Sequence, residues 1–333
     1  MAVEDGVTKV VNPESPLAPP GEVSYTVQWS TTGPKGDDFW ESPNRLRVSG
    51  DLVYLVDRQA SRIHRVSTDG ALLPSFGEPG EGPGQYRRII DAIPTAAGLF
   101  VVDMSNGRVE VLGAEGEVTA SHPLDRVVFE AMPFGEDAVA VFGILGSEQG
   151  WEKIDAAGNQ ETLVFPDFEA EEGGDPPGSR ASSWGESLVR LRFTWPEVRI
   201  YSDEGDLERV MEIRLPPEEA TEEEIEGIVR EVTSVLAQDG LPSGVIQRQA
   251  NEIRNRPREK FRFRRIVFDD AGGLAGIWEQ NPEDFGSGNA TLHLLTTEGV
   301  YIAALAFDRP WAGFALQRGV LYVLSRDPGT DLA

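Results

Sequence analysis

At 333 residues, with 36 glycines, 23 prolines and 40% apolar residues, the chain has the composition of a turn-rich globular protein, which excludes the disordered and fibrous classes. A formal charge of −26 repels phosphate backbones and anionic bilayer surfaces, so nucleic acid is not an expected partner and basic partners are favoured. The lack of cysteine excludes disulfides, thiolate nucleophiles and zinc–sulfur sites, and no stretch approaches the ~20 apolar residues that cross a bilayer as a helix.

The N-terminus, Met1-Ala-Val-Glu-Asp, has neither a charged n-region nor an apolar h-region. The expected location is periplasmic or extracellular with a signal already removed, or cytoplasmic if Met1 is the true start. A Pro-rich lead (Pro13, Pro16, Pro19, Pro20) runs into Tyr25–Ser30, whose alternating Tyr-Thr-Val-Gln-Trp-Ser pattern predicts a strand.

Beyond the lead the chain repeats. An acidic or small residue precedes glycine at Asp69-Gly70, Glu115-Gly116, Ala157-Gly158, Glu204-Gly205 and Glu298-Gly299, with the glycines spaced 46, 42, 47 and 94 apart. Such a period marks propeller blades. Seven residues before each glycine stands Ile63, Val109, Trp151, Val198 or Leu292, and four before it Val66, Leu112, Ile154, Tyr201 or Leu295. These apolar positions define the third strand of a blade. Second strands lie upstream at Leu52–Val56, Leu99–Val102, Ala138–Phe142, Leu188–Phe193, Leu274–Trp278 and Val320–Leu324, which predicts six blades.

The doubled interval falls on residues 216–260, where Ile225, Ile228, Val229, Val232, Val235 and Leu236 are helically spaced behind a Thr221/Glu224 capping box and an acidic first turn. A second helix is predicted from about Ser243 to Asn255, stopped by Pro257. The reading is one all-β, six-bladed propeller over 1–333. Its parts are a lead with closing strand (1–42), blades at 43–80, 81–124, 125–168 and 180–216, a helical insertion at 217–260, and a fifth blade at 261–308. A sixth blade is built from 309–333 with 25–30, so that the N-terminus closes the ring against Val320–Leu324.

Two motifs carry a family resemblance. Asp57-Arg-Gln-Ala-Ser-Arg62-Ile and Asp103-Met-Ser-Asn-Gly-Arg108-Val are similar to the NHL pattern of an Asp closing the second strand and an Arg opening the third. Phe76-Gly-Glu-Pro-Gly-Glu-Gly-Pro-Gly-Gln-Tyr86 resembles the blade linker of exported bacterial six-bladed propellers. The resemblance covers about residues 43–120 and implies fold and export. It implies no single activity, since propellers host binding, hydrolase, lyase and scaffold roles alike.

Candidate chemistry is sparse. His64 and His293 stand six residues before their turn glycines, where other blades place Glu110, Glu152 and Arg199, so the position reads as a polar strand face. His122, before Pro123, reads as loop punctuation. Asp57 with Arg62 and Asp103 with Arg108 recur in successive blades and read as structural ion pairs rather than catalytic carboxylates. The Gly77–Gly84 loop lacks the Gly-Lys-Ser/Thr of a phosphate cradle and precedes a strand. No catalytic, metal-binding or cofactor-binding residue is assigned, and no cofactor is expected.

The anomaly is Arg248 to Arg265, where eight Arg and Lys oppose only Glu252 and Glu259. Arg254, Arg256, Arg258, Lys260 and Arg262 are therefore candidate docking residues for a protein or a membrane protein complex; the alternative pairs these cations with the acidic segment Glu218–Glu226. The acidic loop Asp167–Asp175 and the aromatics Trp40, Trp184, Trp195 and Trp311 are further contact candidates. The functional expectation is a non-catalytic, protein-binding propeller of the cell envelope, such as an accessory subunit on a respiratory or photosynthetic membrane complex. A calcium-dependent lactonase-like hydrolase and a small-molecule or glycan binder are the competing readings.

Overall fold

A computed structural model describes residues 2–4, 6–19, 22–24, 26–33, 40–145, 148–163, 181–191, 197–216, 219, 221–238, 243–255, 263–269, 271–280, 290–307 and 311–325. The chain opens with a hairpin, β1 (Ala2–Glu4) and β2 (Val7–Asn12). Blade 1 comes next as β3 (Pro43–Ser49), β4 (Leu52–Asp57), β5 (Arg62–Ser67) and β6 (Leu72–Phe76). A linker with the short parallel pair β7 (Glu78–Pro79) and β8 (Gln85–Tyr86) leads to blade 2, β9 (Ile89–Thr95), β10 (Gly98–Asp103), β11 (Arg108–Leu112) and β12 (Val118–Pro123). Blade 3 is β13 (Val127–Phe134), β14 (Ala138–Leu145), β15 (Glu148–Asp155) and β16 (Gln160–Leu163). Blade 4 is β17 (Ala181–Trp184), β18 (Ser187–Leu191), β19 (Glu197–Tyr201) and β20 (Leu207–Ile213). Two helices, α1 (Glu222–Gln238) and α2 (Ser243–Arg254), precede blade 5, which is β21 (Phe263–Asp269), β22 (Leu274–Gln280), β23 (Ala290–Thr296) and β24 (Tyr301–Phe307). The hairpin β25 (Trp311–Gln317) and β26 (Val320–Ser325) comes last.

Each blade is an antiparallel meander, and the innermost strands β3, β9, β13, β17, β21 and β25 contact one another in order, with β25 returning to β3. The fold is a β-propeller. Its core lies between blades: separate buried clusters fill each junction, for example Val56, Ile63 and Tyr86 with Val101 between blades 1 and 2, and Trp278 and Leu292 with Trp311 and Phe314 between blade 5 and the last hairpin. The apolar positions seven and four residues before the turn glycines are all among the buried core.

Those glycines close one recurring turn. The N–H of Gly70, Gly116, Gly158, Gly205 and Gly299 donates to the carbonyl three residues back, at 2.8–3.1 Å, and each glycine has φ between 84° and 94°. A left-handed residue in this place gives the strands the twist that a hairpin needs. Side chains from the preceding blade pack beneath these turns. A Cβ on Gly116 would lie 2.4 Å from Phe76 of β6, one on Gly158 2.3 Å from His122 of β12, and one on Gly299 2.6 Å from Met211 of β20.

The structure corrects two expectations. Five sheets have four or more strands, and the position expected for a sixth blade holds only the two-stranded β25–β26 among the described residues. The expected closing strand over Tyr25–Ser30 does not form, with residues 26–30 in no regular structure and Tyr25 outside the described residues. The N-terminus extends a different blade. β2 pairs in parallel with β20, giving blade 4 six strands. Asn12 then ties blade 4 to blade 5, its side chain donating to the Glu212 and Gly299 carbonyls and accepting from the Tyr301 N–H. Trp29 takes the place under the Gly70 turn that Phe76 takes under Gly116. It donates from Nε1 to the Thr68 carbonyl at 2.7 Å and contacts Tyr322 of β26. The lead thus links the last hairpin to blade 1 through one side chain.

The helices carry their predicted cap: Thr221 N–H donates to the Glu224 carboxylate at 2.5 Å and Glu224 N–H to Thr221 Oγ1 at 3.2 Å. Val229, Ala250 and Ile253 form a cluster with Ile225, Ile228 and Val232 that contains no blade residue.

Candidate functional site

The innermost strands share an irregularity. In β3, β9, β13, β21 and β25 the pairing skips one residue, namely Asn44, Ile90, Phe129, Arg264 and Ala312. A bulge bends the strand and re-aims the side chains beyond it. The residues that resume the pairing, opposite Val56, Val102, Phe142, Trp278 and Leu324, are Arg45, Asp91, Glu130, Arg265 and Gly313. Five blade positions therefore place one residue each at the same level around the axis, and four of the five are ionisable.

Contacts across the axis confirm the convergence. Arg47, two residues further along β3, donates from Nη2 to Asp91 Oδ2 at 2.7 Å and from Nε to Oδ1 at 3.4 Å, and reaches the Ala131 carbonyl of blade 3 at 3.3 Å. Asp91 is buried and its charge is matched by this two-pronged pair. Arg265 of blade 5 interacts electrostatically with Arg47 and Arg45 of blade 1, Asp91 of blade 2 and Glu130 of blade 3. Burial first, and then Arg47 and Arg45, bring its guanidinium down to about 9, well below the ordinary arginine value. Among the described residues neither Arg45 nor Arg265 makes a hydrogen bond or an ion pair. A chain of −26 thus keeps two arginines at its axis without a directly bonded anion among the described residues.

A second feature lies at the start of the inner strand of blade 3. Val127, Phe129 and Leu145 are 52%, 50% and 43% exposed. Phe129 contacts Phe142, which contacts buried Trp151, so an aromatic row runs from the core to the surface.

The polar position shared by His64, Glu110, Glu152, Arg199 and His293 is enclosed, since all but partly buried Arg199 are buried and each has a polar partner. His64 lies 2.9 Å from Ser75 Oγ and 3.4 Å from Asp57 Oδ2. Glu110 pairs with Arg108, Glu152 with Arg126, and Arg199 with Glu197. His293 bridges Glu279 at 2.6 Å and the Tyr301 hydroxyl at 2.9 Å. Burial first, and then Glu279, push the Tyr301 hydroxyl up to about 12, and burial raises the Glu152 carboxyl. His122 belongs to β12 and meets the Ala156 carbonyl of blade 3 at 3.0 Å, so it is a blade contact and not loop punctuation.

Asp57 and Arg62 stand opposite each other in register, as do Asp103 and Arg108. The carboxylates serve the incoming linkers. Asp57 accepts from the amides of Glu41, Ser42 and Ala60, and Asp103 from those of Arg87, Arg88 and Ser105 and from the Asn106 side chain. Burial opposes ionisation of Asp57, but the bonds from His64 and these amides outweigh it and hold the carboxyl below its ordinary value. Arg108 donates to the carbonyls of Glu81, Gly82 and Gln85. The Gly-rich loop is thereby clamped as a linker, with the Gly84 amide given to Glu110 and that of Gly82 to Gln85.

Of the docking candidates, Arg254 forms a two-pronged pair with Glu226 at 2.6 and 2.8 Å, and Arg256, Arg258, Lys260 and Arg262 lie outside the described residues. Arg265, from the same basic run, stands at the axis instead. Trp40 and Trp311 are buried and Trp184 is stacked on Phe268, so none of the three is an open contact point; Trp195 and the loop 167–175 lie outside the described residues. Among the described residues no three His, Asp or Glu side chains are gathered as a metal site requires, and no helix is long and apolar enough to cross a membrane.

No family model matches the chain. Among solved structures it is similar to a Bacteroides fragilis protein described as exported, at TM-score 0.56 and 9% identity, covering 93% of this chain and 85% of that one. A member of the DUF4221 family from Bacteroides vulgatus aligns at TM-score 0.55 and 11% identity, covering 85% and 86%. At these identities the likeness is one of fold.

Proposed function

We propose that this chain is a non-catalytic, protein-binding propeller of the cell envelope, built on six NHL-type blade positions with a helical insertion between the fourth and fifth. Export is supported by the motif resemblance and by the Bacteroides fragilis protein described as exported. The partner is another protein, alone or within a membrane complex.

The observation that carries this reading is the apolar surface of Val127, Phe129 and Leu145. Three large apolar side chains exposed together on one hairpin are a recurrent mark of an interface, because their hydration is relieved when a partner covers them. Exposed aromatics backed by a packed core suit an anchor, since little side-chain freedom remains to be lost. The basic run is a second contact proposed for the same partner, with long-range attraction to an acidic patch as its contribution.

Capture of partners from envelope extract tests both surfaces at about 50 and 300 mM salt, where charge screening differs. A Val127→Ser/Phe129→Ser variant should lose the partner at both salts with an unchanged melting temperature. Replacing Arg254, Arg256, Arg258, Lys260 and Arg262 with Ser should weaken capture mainly at low salt, and should loosen the helices through the lost Glu226 pair. Undiminished capture by both variants would sink the docking reading.

A further inference from the structure

The ring at the axis goes beyond protein docking. Arg265 sits on blade 5 and Arg45 on blade 1, and the hairpin between them presents Gly313 at the same level. We propose that Arg45 and Arg265 form an oxyanion-binding site over Gly313 that takes the carboxylate or phosphate group of a small anionic ligand at the propeller axis.

Three observations on independent residues converge on it. First, the buried acid of the ring is already engaged: Asp91 is held by Arg47 in a two-pronged pair. Asp91 and Glu130 act on Arg265 through space, but among the described residues neither forms an ion pair with it or with Arg45. Second, the two arginines are poorly placed for stability. A partly buried guanidinium with no hydrogen bond among the described residues, beside two like charges, is destabilising unless something else neutralises it, and Arg265 carries the depressed proton affinity of that environment. A planar fork of donors held in this way matches a carboxylate or a phosphate. Third, there is room. Where the other four bulged inner strands carry Arg, Asp or Glu, this one has glycine with no left-handed φ to require it. The nearest atoms to a Cβ there belong to Leu46 and Arg45, at 3.5–3.9 Å, which is ordinary van der Waals contact. The glycine is not explained by its backbone, and a larger side chain would occupy the space between the arginines.

The mixed charges of the ring also select. Asp91 and Glu130 line the far side of the axis, so a ligand with a single anionic group at one end and an uncharged or cationic remainder fits better than a polyanion.

The site is tested on the full chain by calorimetric titration and thermal melting at fixed ionic strength, with inorganic phosphate in one arm and acetate in the other. At least one probe should bind saturably and raise the melting temperature, and the stronger arm identifies the group preferred. Arg265→Leu should weaken binding at least tenfold while leaving the unliganded melting temperature equal to or above that of the parent, because an unneutralised cation has been removed. Gly313→Leu should weaken binding as much with both arginines in place. Arg87→Gln, at an exposed arginine paired with Glu81, should bind like the parent. Lack of saturable binding by either probe overturns the proposal, as does equal binding in all variants, which would mean a non-specific salt effect. A lowered melting temperature in Arg265→Leu with probe binding retained would also overturn it, by making Arg265 a structural cation.

Discussion

The outer turns and the inner ring are both repeated features, but they repeat in different ways. At the turns of Gly70, Gly116, Gly158, Gly205 and Gly299 the backbone and the residue recur together, down to the left-handed φ and the hydrogen bond that closes the turn. At the axis the backbone recurs as a bulge, yet the residues that resume the pairing are Arg45, Asp91, Glu130, Arg265 and Gly313. A residue that recurs with its geometry is demanded by the fold. Where the geometry recurs and the residue does not, the scaffold has fixed a direction and left the chemistry free, which is how propellers acquire different functions.

The largest effect expected from breaking this contrast is at a turn. Gly116→Ala places a Cβ in the left-handed region and 2.4 Å from the Phe76 ring, which is wedged between blades 1 and 2. Strain and displaced packing together should destabilise the protein by about 3 kcal/mol in chemical denaturation. Gly50→Ala has the same left-handed constraint, at φ 59°, with nothing within 4 Å, and should lose only about 1 kcal/mol. Equal losses at the two sites would show that interblade packing under the turn contributes nothing.

The linker clamps come next. Asp103 is buried and accepts from several backbone amides, so Asp103→Ala leaves those donors unpaired and should lose about 2–3 kcal/mol. Asp57 adds a pH test. Its carboxyl titrates lower in the folded protein than in the unfolded chain, so the unfolded state takes up the proton first on acidification. The stabilisation is present in full above the unfolded value of about 3.9 and is lost as pH falls through the folded value. Acid unfolding of Asp57→Asn should therefore be less steep than that of the parent below about pH 4; an identical acid limb would remove Asp57 from the clamp.

The sequence was most legible where the signal is local. The turn glycines, the third-strand apolar pair and the Thr221/Glu224 cap each depend on residues a few places apart, and all of them are found where the spacing puts them. The inner ring was hidden because a bulge breaks the two-residue alternation by which a strand is read. Val128 is buried, Phe129 is exposed, and Glu130 resumes the pairing out of phase. Arg265 was not set apart from the basic run for a related reason, since charge along the chain does not report burial. The alternation over Tyr25–Ser30 reads as a strand, but it lacks a pairing partner, and what the fold uses there is the single side chain of Trp29. The missing signal at blade 3 was available in part: Val127-Val-Phe129 is an apolar run at the start of an inner strand, and two of its three side chains are exposed.

The smallest effect expected is at Trp29, and it separates two ways of closing the ring. If closure depended on backbone pairing between the N-terminus and Val320–Leu324, a side-chain change in the lead would matter little, and only deleting the segment would open the ring. The geometry instead gives the lead one partly buried ring that rests under the Gly70 turn, donates to the Thr68 carbonyl and touches Tyr322. A fully buried Trp→Ala change costs about 3–5 kcal/mol, and half-burial with one hydrogen bond brings the expectation for Trp29→Ala to about 1–2 kcal/mol. The loss should be local to this junction. Hydrogen exchange at the amides of Ser67, Thr68 and Gly70 should quicken, whereas the corresponding turn at Gly113 and Gly116, covered by Phe76, should exchange as in the parent. Uniform acceleration at both turns would mean that the lead holds the whole ring rather than one junction, and unchanged exchange at Gly70 would mean that it holds neither.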